Sequence, residues 1–295
     1  HLNPQLPSIR MNDYNQAALN NYLAQVQGVN RDCGHGAVQY VTGATAVATG
    51  YIGSVYSPTQ QCVYLMPYAQ GTATAWHYAN CETGAITAYT HGATVVPTGY
   101  MGGVYSPTLD RIYLTPYGQA TAANWHYINC NTGAVVAYAK GTTTVGATAY
   151  AHGTYFPSLD RVYWCPRTQA SSNTWHYVNA ATGSVVDYAH GATCVENAYM
   201  GAVWHPILNR LYFIPNGQAS VSFWHYIDSG GTVVAYNHGA TVVPTAYAGG
   251  VYSPMQDRIY LIPYSQSTAT DWHYIDSTGS VIAYVHGATV VSTGY

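Results

Sequence analysis

The segment YSPTLDRIYLTPYGQATAANWHYINCNTG, Tyr105 to Gly133, decides the architecture of this chain, because its landmarks recur throughout it. Trp-His-Tyr stands at Trp76, Trp125, Trp175, Trp224 and Trp272, at intervals of 48 to 50 residues. Each tryptophan follows a proline by nine residues (Pro67, Pro116, Pro166, Pro215, Pro263), and each of those follows another by nine (Pro58, Pro107, Pro157, Pro206, Pro254). Seven or eight residues past the tryptophan come Gly84, Gly133, Gly183, Gly231 and Gly279. A period of this size means stacked supersecondary units, since one unit alone has nothing to bury its apolar face against.

Within the second unit, Tyr100 to Ser106 reads as a strand and Pro107-Thr108-Leu109-Asp110 as a tight turn, with proline presetting φ and Asp tolerating a left-handed backbone. Arg111 to Thr115 alternates with period two, so Ile112 and Leu114 share one face. Pro116 has no N–H to donate and breaks the ladder. Asn124 to Asn129 is a third strand, with Trp125 and Tyr127 on one face and His126 and Ile128 on the other. After the Asn131-Thr132-Gly133 turn, β-branched Ala134 to Tyr138 forms a fourth.

Four short antiparallel strands in about 49 residues predict an all-β fold, a β-propeller. Blades start near Thr49, Thr98, Thr148, Asn197 and Thr245, giving five complete ones. Gly53, Gly102, Gly103, Gly153, Gly201, Gly249 and Gly250 fall on the innermost strands, where backbones crowd the axis. Gly36 to Val41 matches a further fourth strand, and His286 to Tyr295 leads toward a further first strand. Either five blades close a ring or the parent chain carries more. The propeller domain is expected over 36–295. Residues 1–35 stand outside the repeat as an extended arm, Leu2 to Pro7, and a short helix from Asn12 or Asp13 to about Gln27.

Tyr252 to Tyr260 followed by Ile275 to Ile282 resembles the YVTN-type β-propeller repeat, whose units run from a Ser-Pro turn through a strand to an Asp/Asn-x-Thr-Gly turn. The resemblance covers about residues 36 to 295 and implies the fold. Here Pro-Tyr stands after the second strand in place of that family's Asn, and Trp-His-Tyr in place of a plain aliphatic third strand.

Charged residues are 6% of the 295, against roughly 25% in typical domains. One lysine, seven arginines and a net charge of -3 provide no field for a nucleic acid backbone, and no apolar run is long enough to insert in a membrane. The 31 tyrosines against 3 phenylalanines fit positions buried at the ring and wet at the hydroxyl, or a surface that stacks sugars.

Repeated polar residues are the candidates for chemistry. His77, His126, His176, His225 and His273 lie at equivalent places on a ring, too far apart to converge as metal ligands or bases, and read as repeated structural hydrogen bonds. The five tryptophans read as buried core. Gln70, Gln119, Gln169, Gln218 and Gln266, each in the loop before its tryptophan, are the candidates for a repeated ligand contact, or else tie down their own loops. Cys62 and Cys81 face each other if the hairpin between them turns near Gly71, which makes them a candidate disulfide. No zinc, phosphate-loop or nucleophile motif is present, so neither metal nor cofactor is expected.

Equal loop lengths in every unit argue against a grafted active site. The expectation is a non-enzymatic binding or scaffolding propeller located outside the cytoplasm, at a cell surface or virion. Glycans or other surface subunits are its expected partners, with homo-oligomers as one form of assembly. The alternatives are a purely structural virion or filament subunit, and a propeller hydrolase or lactonase with asymmetric acids or histidines at the channel mouth.

Overall fold

The computed structural model describes residues 45–287, all within one compact unit. The arm and helix expected over 1–35, and the strand expected over 36–41, lie outside the described residues. The described residues form five four-stranded antiparallel sheets, each with its strands in chain order. Blade 1 comprises Tyr51–Ser57, Cys62–Pro67, Ala75–Asn80 and Ile86–Thr90. Blade 2 repeats this with Tyr100–Ser106, Arg111–Pro116, Asn124–Asn129 and Val135–Ala139. Blades 3, 4 and 5 open with Tyr150–Phe156, Tyr199–His205 and Tyr247–Ser253. These first strands pack on one another from each blade to the next, so they are innermost, as the glycines require.

Pro116 is the last residue of its strand, opposite Tyr100, rather than the first beyond it. Because the ladder can go no further, the next amides turn back onto one carbonyl: Tyr117 N and Gln119 N both donate to Gly99 O, at 3.0 and 2.9 Å. The register of the innermost pair shifts between Tyr100 and Gly103, a bulge that glycine accommodates. The turns from first to second strand all place one residue in the left-handed region: Gln61, Asp110, Asp160, Asn209 and Asp257 have φ of 49 to 50°. Asp110 and Asp160 also accept hydrogen bonds from the preceding blade, from Thr59 at 2.8 Å and Thr108 at 2.6 Å.

Tyrosine builds the middle of each blade. In blade 2, Tyr113 of the second strand meets Tyr127 of the third at 5.6 Å, tilted, and Tyr138 of the fourth at 5.6 Å, edge to face. The same triad recurs in the other blades, for example Tyr163, Tyr177 and Tyr188. Such pairs contribute about 0.5–1.5 kcal/mol each beyond area burial.

Among the described residues, the packing stops at blade 5. Met66, Cys165 and Ile214, each at the fifth position of its second strand, are fully buried against the following blade, whereas Ile262 of blade 5 is 41% exposed. Likewise Val251 is 55% exposed where Val104 is 6%. Among the described residues, the first strands of blades 5 and 1 do not pack on each other as successive ones do. Among the described residues, the five blades form an arc whose last blade has no following blade packed on it.

Candidate functional site

The repeated polar residues are occupied in holding the blades. Gln70, Gln119, Gln169, Gln218 and Gln266 are all buried. Gln169 accepts from Gly146 N at 2.9 Å and donates to Thr174 O at 2.9 Å, so its amide ties the incoming link to the start of the third strand. Gln70, Gln119, Gln218 and Gln266 make the same pair of bonds. Trp76, Trp125, Trp175 and Trp224 are fully buried, and Trp272, on the uncovered blade, is half-buried. The indole N–H of Trp175 donates to Gln169 O at 3.1 Å. Cys62 and Cys81 are free thiols rather than a disulfide. The register pairs Cys62 with Asn80, which displaces Cys81 by one residue into the exposed turn; the hairpin is out of step with that bridge.

The third-strand histidines bond the tyrosine that opens the same blade. Tyr100 OH meets His126 Nδ1 at 2.5 Å, and Tyr150, Tyr199 and Tyr247 meet His176, His225 and His273 at the same distance. Tyr51 and His77 form the equivalent bond. Burial pushes His126, His176 and His225 down to about 4. The imidazoles are therefore neutral at neutral pH, and the phenols donate to Nδ1. Among the described residues, no group of three or more His, Cys, Asp or Glu side chains is placed to hold a metal.

Chemistry that is not repeated gathers at the axis, on blade 3. The third residue of each first strand is glycine in four blades, Gly53, Gly102, Gly201 and Gly249, and histidine in one, His152. His152 has the left-handed backbone that Gly53 and Gly102 show at this place in blades 1 and 2, at φ 59°, a costly state for a non-glycine residue that is concentrated at functional sites. Its ring lies along the neighbouring first strands. A Cβ at Gly102 would fall 2.6 Å from His152 Nδ1, and one at Gly53 3.6 Å from its Cε1. The glycines of blades 1 and 2 thus leave the space that the imidazole enters. Burial holds this imidazole below its ordinary value, which leaves it an unprotonated base at neutral pH.

The residue after the second proline of each unit is Tyr68, Tyr117, Arg167, Asn216 and Tyr264. These positions touch from blade to blade, as equivalent residues do only close to the axis. Tyr68 and Tyr117 have ring centroids 5.8 Å apart, and Arg167 Nη1 donates to Tyr117 OH at 2.7 Å. The Arg167 guanidinium stands 5.2 Å from the Tyr117 ring centroid, while its buried Nε has no hydrogen-bond partner among the described residues. Asn216 Nδ2 donates across to Tyr247 O of blade 5 at 2.8 Å. Arg167 follows Pro166, which pairs with Tyr150, so it lies at the end of blade 3 from which His152 is two residues along the first strand. A fixed cation, two aromatic faces and an unprotonated imidazole are brought to one end of the axis. Sequence reading passed over His152 and Arg167 because it weighed what recurs. The signal that finds them is the single departure in each aligned column.

No protein-family model matches the chain, and no curated protein does. Solved structures are similar to it in fold. Virginiamycin B lyase from Staphylococcus aureus, solved with quinupristin as a catalytically inactive histidine-to-alanine variant, is 13% identical with a TM-score of 0.58, over 81% of this chain and 71% of the lyase. A luciferin-regenerating enzyme is 11% identical with a TM-score of 0.50, over 80% and 76%. An auxiliary nutrient binding protein from Bacteroides ovatus is 11% identical with a TM-score of 0.54, over 80% and 57%. The likeness is one of fold, that of β-propeller-like proteins. It overturns the expectation that the chain is not an enzyme, because two of these neighbours are enzymes of the same architecture. Equal loops do not exclude a site made by substituting side chains within the strands, as at His152.

Proposed function

We propose that the chain is a ligand-binding propeller that takes one acidic, carbohydrate-sized ligand at the axial cluster of Tyr68, Tyr117, Arg167 and His152. The observation that carries this reading is Arg167: a guanidinium stands where other blades have Tyr or Asn, with a buried Nε that has no partner among the described residues. A guanidinium presents paired donors to a carboxylate, and the adjacent tyrosine faces suit the apolar side of a sugar ring. A ligand of this kind agrees with a location outside the cytoplasm, at a cell surface or virion, and with glycan-bearing partners.

A second reading rests on His152. A strained, unprotonated imidazole beside an anchored anion has the properties of a general base, and a lyase of this architecture is inactive as a histidine-to-alanine variant. Binding and proton abstraction then share one site.

A glycan array probed with the whole protein tests both. The expected hits are carboxylate-bearing glycans, lost in Arg167→Tyr, which restores the residue of blades 1 and 2, and kept in His152→Gly. Mass spectrometry of a hit incubated with protein would then show turnover that His152→Gly abolishes. A blank array, or neutral hits indifferent to Arg167→Tyr, would overturn the binding reading. An unchanged hit would overturn the catalytic one alone.

A further inference from the structure

A second departure from the repeat lies between blades 1 and 2, away from the axis. In blades 2 to 5 an arginine opens the second strand and lies on the third-strand tyrosine. Arg111, Arg161, Arg210 and Arg258 stand 4.2, 4.3, 4.5 and 4.3 Å from the ring centroids of Tyr127, Tyr177, Tyr226 and Tyr274. Three of them also donate to the second-strand tyrosine: Arg111 to Tyr113 at 3.4 Å, Arg161 to Tyr163 at 3.0 Å, and Arg210 to Tyr212 at 3.3 Å. The far side of the slot is the next blade's turn glycine. A Cβ at Gly183, Gly231 or Gly279 would fall 2.6, 2.7 or 2.9 Å from the Nη1 of Arg111, Arg161 or Arg210.

Blade 1 keeps every wall of this slot and lacks the guanidinium. Cys62 replaces the arginine, Tyr78 supplies the ring face, Tyr64 the phenol and Gly133 the neighbouring turn. The result is a cleft of about 560 Å³ lined by these residues with Gln60 and Tyr89. Among the described residues no cation stands over Tyr78. Burial raises the Cys62 thiol, so it brings no charge. Gln60, where blades 2 to 4 have leucine, accepts from Tyr64 and adds a carbonyl oxygen to the wall. Blade 5 shows that glutamine and cation fit one slot: Tyr260 donates to Gln256 at 2.5 Å while Arg258 lies on Tyr274.

We propose that this cleft binds the guanidinium group of an arginine-like ligand, seated on Tyr78 as the chain's own arginines sit on theirs. The aromatic face attracts the cation, and the oxygens of Tyr64 and Gln60 are acceptors for its N–H groups. The chain supplies the template for the site four times over, and among the described blades only the first leaves the head group out.

Titration of the whole protein with Nα-acetyl-arginine methylamide, against the neutral citrulline analogue, tests the assignment. The arginine compound is expected to saturate and to bind at least tenfold tighter. Cys62→Arg should abolish that binding and raise the melting temperature, because it fills the slot as in blade 2, while Cys62→Ser should retain it. Tyr78→Leu, which removes the ring face alone, should weaken it at least tenfold and serves if Cys62→Arg does not fold. Arg167→Tyr should leave it unchanged, which separates this site from the axial one. Equal affinity for the two compounds, no saturable binding, or full binding to Cys62→Arg or Tyr78→Leu would overturn the proposal.

Discussion

At the scale of the residue, the third-strand histidines set how the protein responds to acid. His126, His176 and His225 are held at about 4 by burial, against about 6.5 in an unfolded chain. Above pH 6.5 they are neutral in both states and their contribution to stability is complete. Between 6.5 and 4 the unfolded chain takes up protons that the folded chain refuses, so stability falls as pH falls. With these three groups the unfolding free energy should drop by up to about 4 kcal/mol per pH unit in that window, measured by urea denaturation at pH 7, 6 and 5. A flat profile would mean that the imidazoles are hydrated. The period makes these histidines easy to find, but it hides His152. One glycine exchanged for one histidine leaves the hydrophobic alternation of Tyr150 to Phe156 intact, so pattern reading has nothing to register.

At the scale of the element, the sequence is most legible where backbone chemistry is explicit. Ser-Pro-x-x-Asp and Asn-x-x-Thr-Gly mark turns because φ is constrained there, and the strands of blade 2 fall within a residue of their expected bounds. The link into each first strand was less legible, since Thr49, Thr98, Thr148 and Thr245 adopt φ of 52 to 57°, a region that a β-branched residue enters only under strain. Blade 4 has Asn197 at this point, with φ 56°. Thr98→Asn is therefore expected to stabilise the protein by about 1 kcal/mol through relief of strain, read as a higher melting temperature. The disulfide failed at this scale as well: a one-residue difference in register separates Cys81 from the position opposite Cys62.

For the whole arc of blades, burial depends on having a following blade. Ile214 and Ile262 are equivalent in sequence, yet the first is wholly buried and the second 41% exposed. Ile214→Ala should cost about 2–5 kcal/mol, as buried Ile truncations do, and Ile262→Ala well under half as much. Equal costs in chemical denaturation would show that something covers the blade 5 face in solution. The five complete blades found among the described residues and their strand order were legible, because both follow from counting a period. Whether the ends meet was not, since a repeat specifies the contact of each unit with the next and says nothing of closure.

One feature of the core has an optical consequence. Trp76, Trp175, Trp224 and Trp272 each carry an imidazole face to face, His91, His190, His238 and His286, with centroids 3.8 to 4.1 Å apart. In blade 2 the residue at that place is Lys140, so Trp125 has no such stacked ring. A protonated imidazole against an excited indole is an electron acceptor, so burial, which holds His190 and His238 below their ordinary value, keeps Trp175 and Trp224 bright to a lower pH than a solvated imidazole partner would. Trp125 meets the His176 imidazole edge to face at 6.4 Å rather than stacked, so its emission should change less than theirs as acid is added.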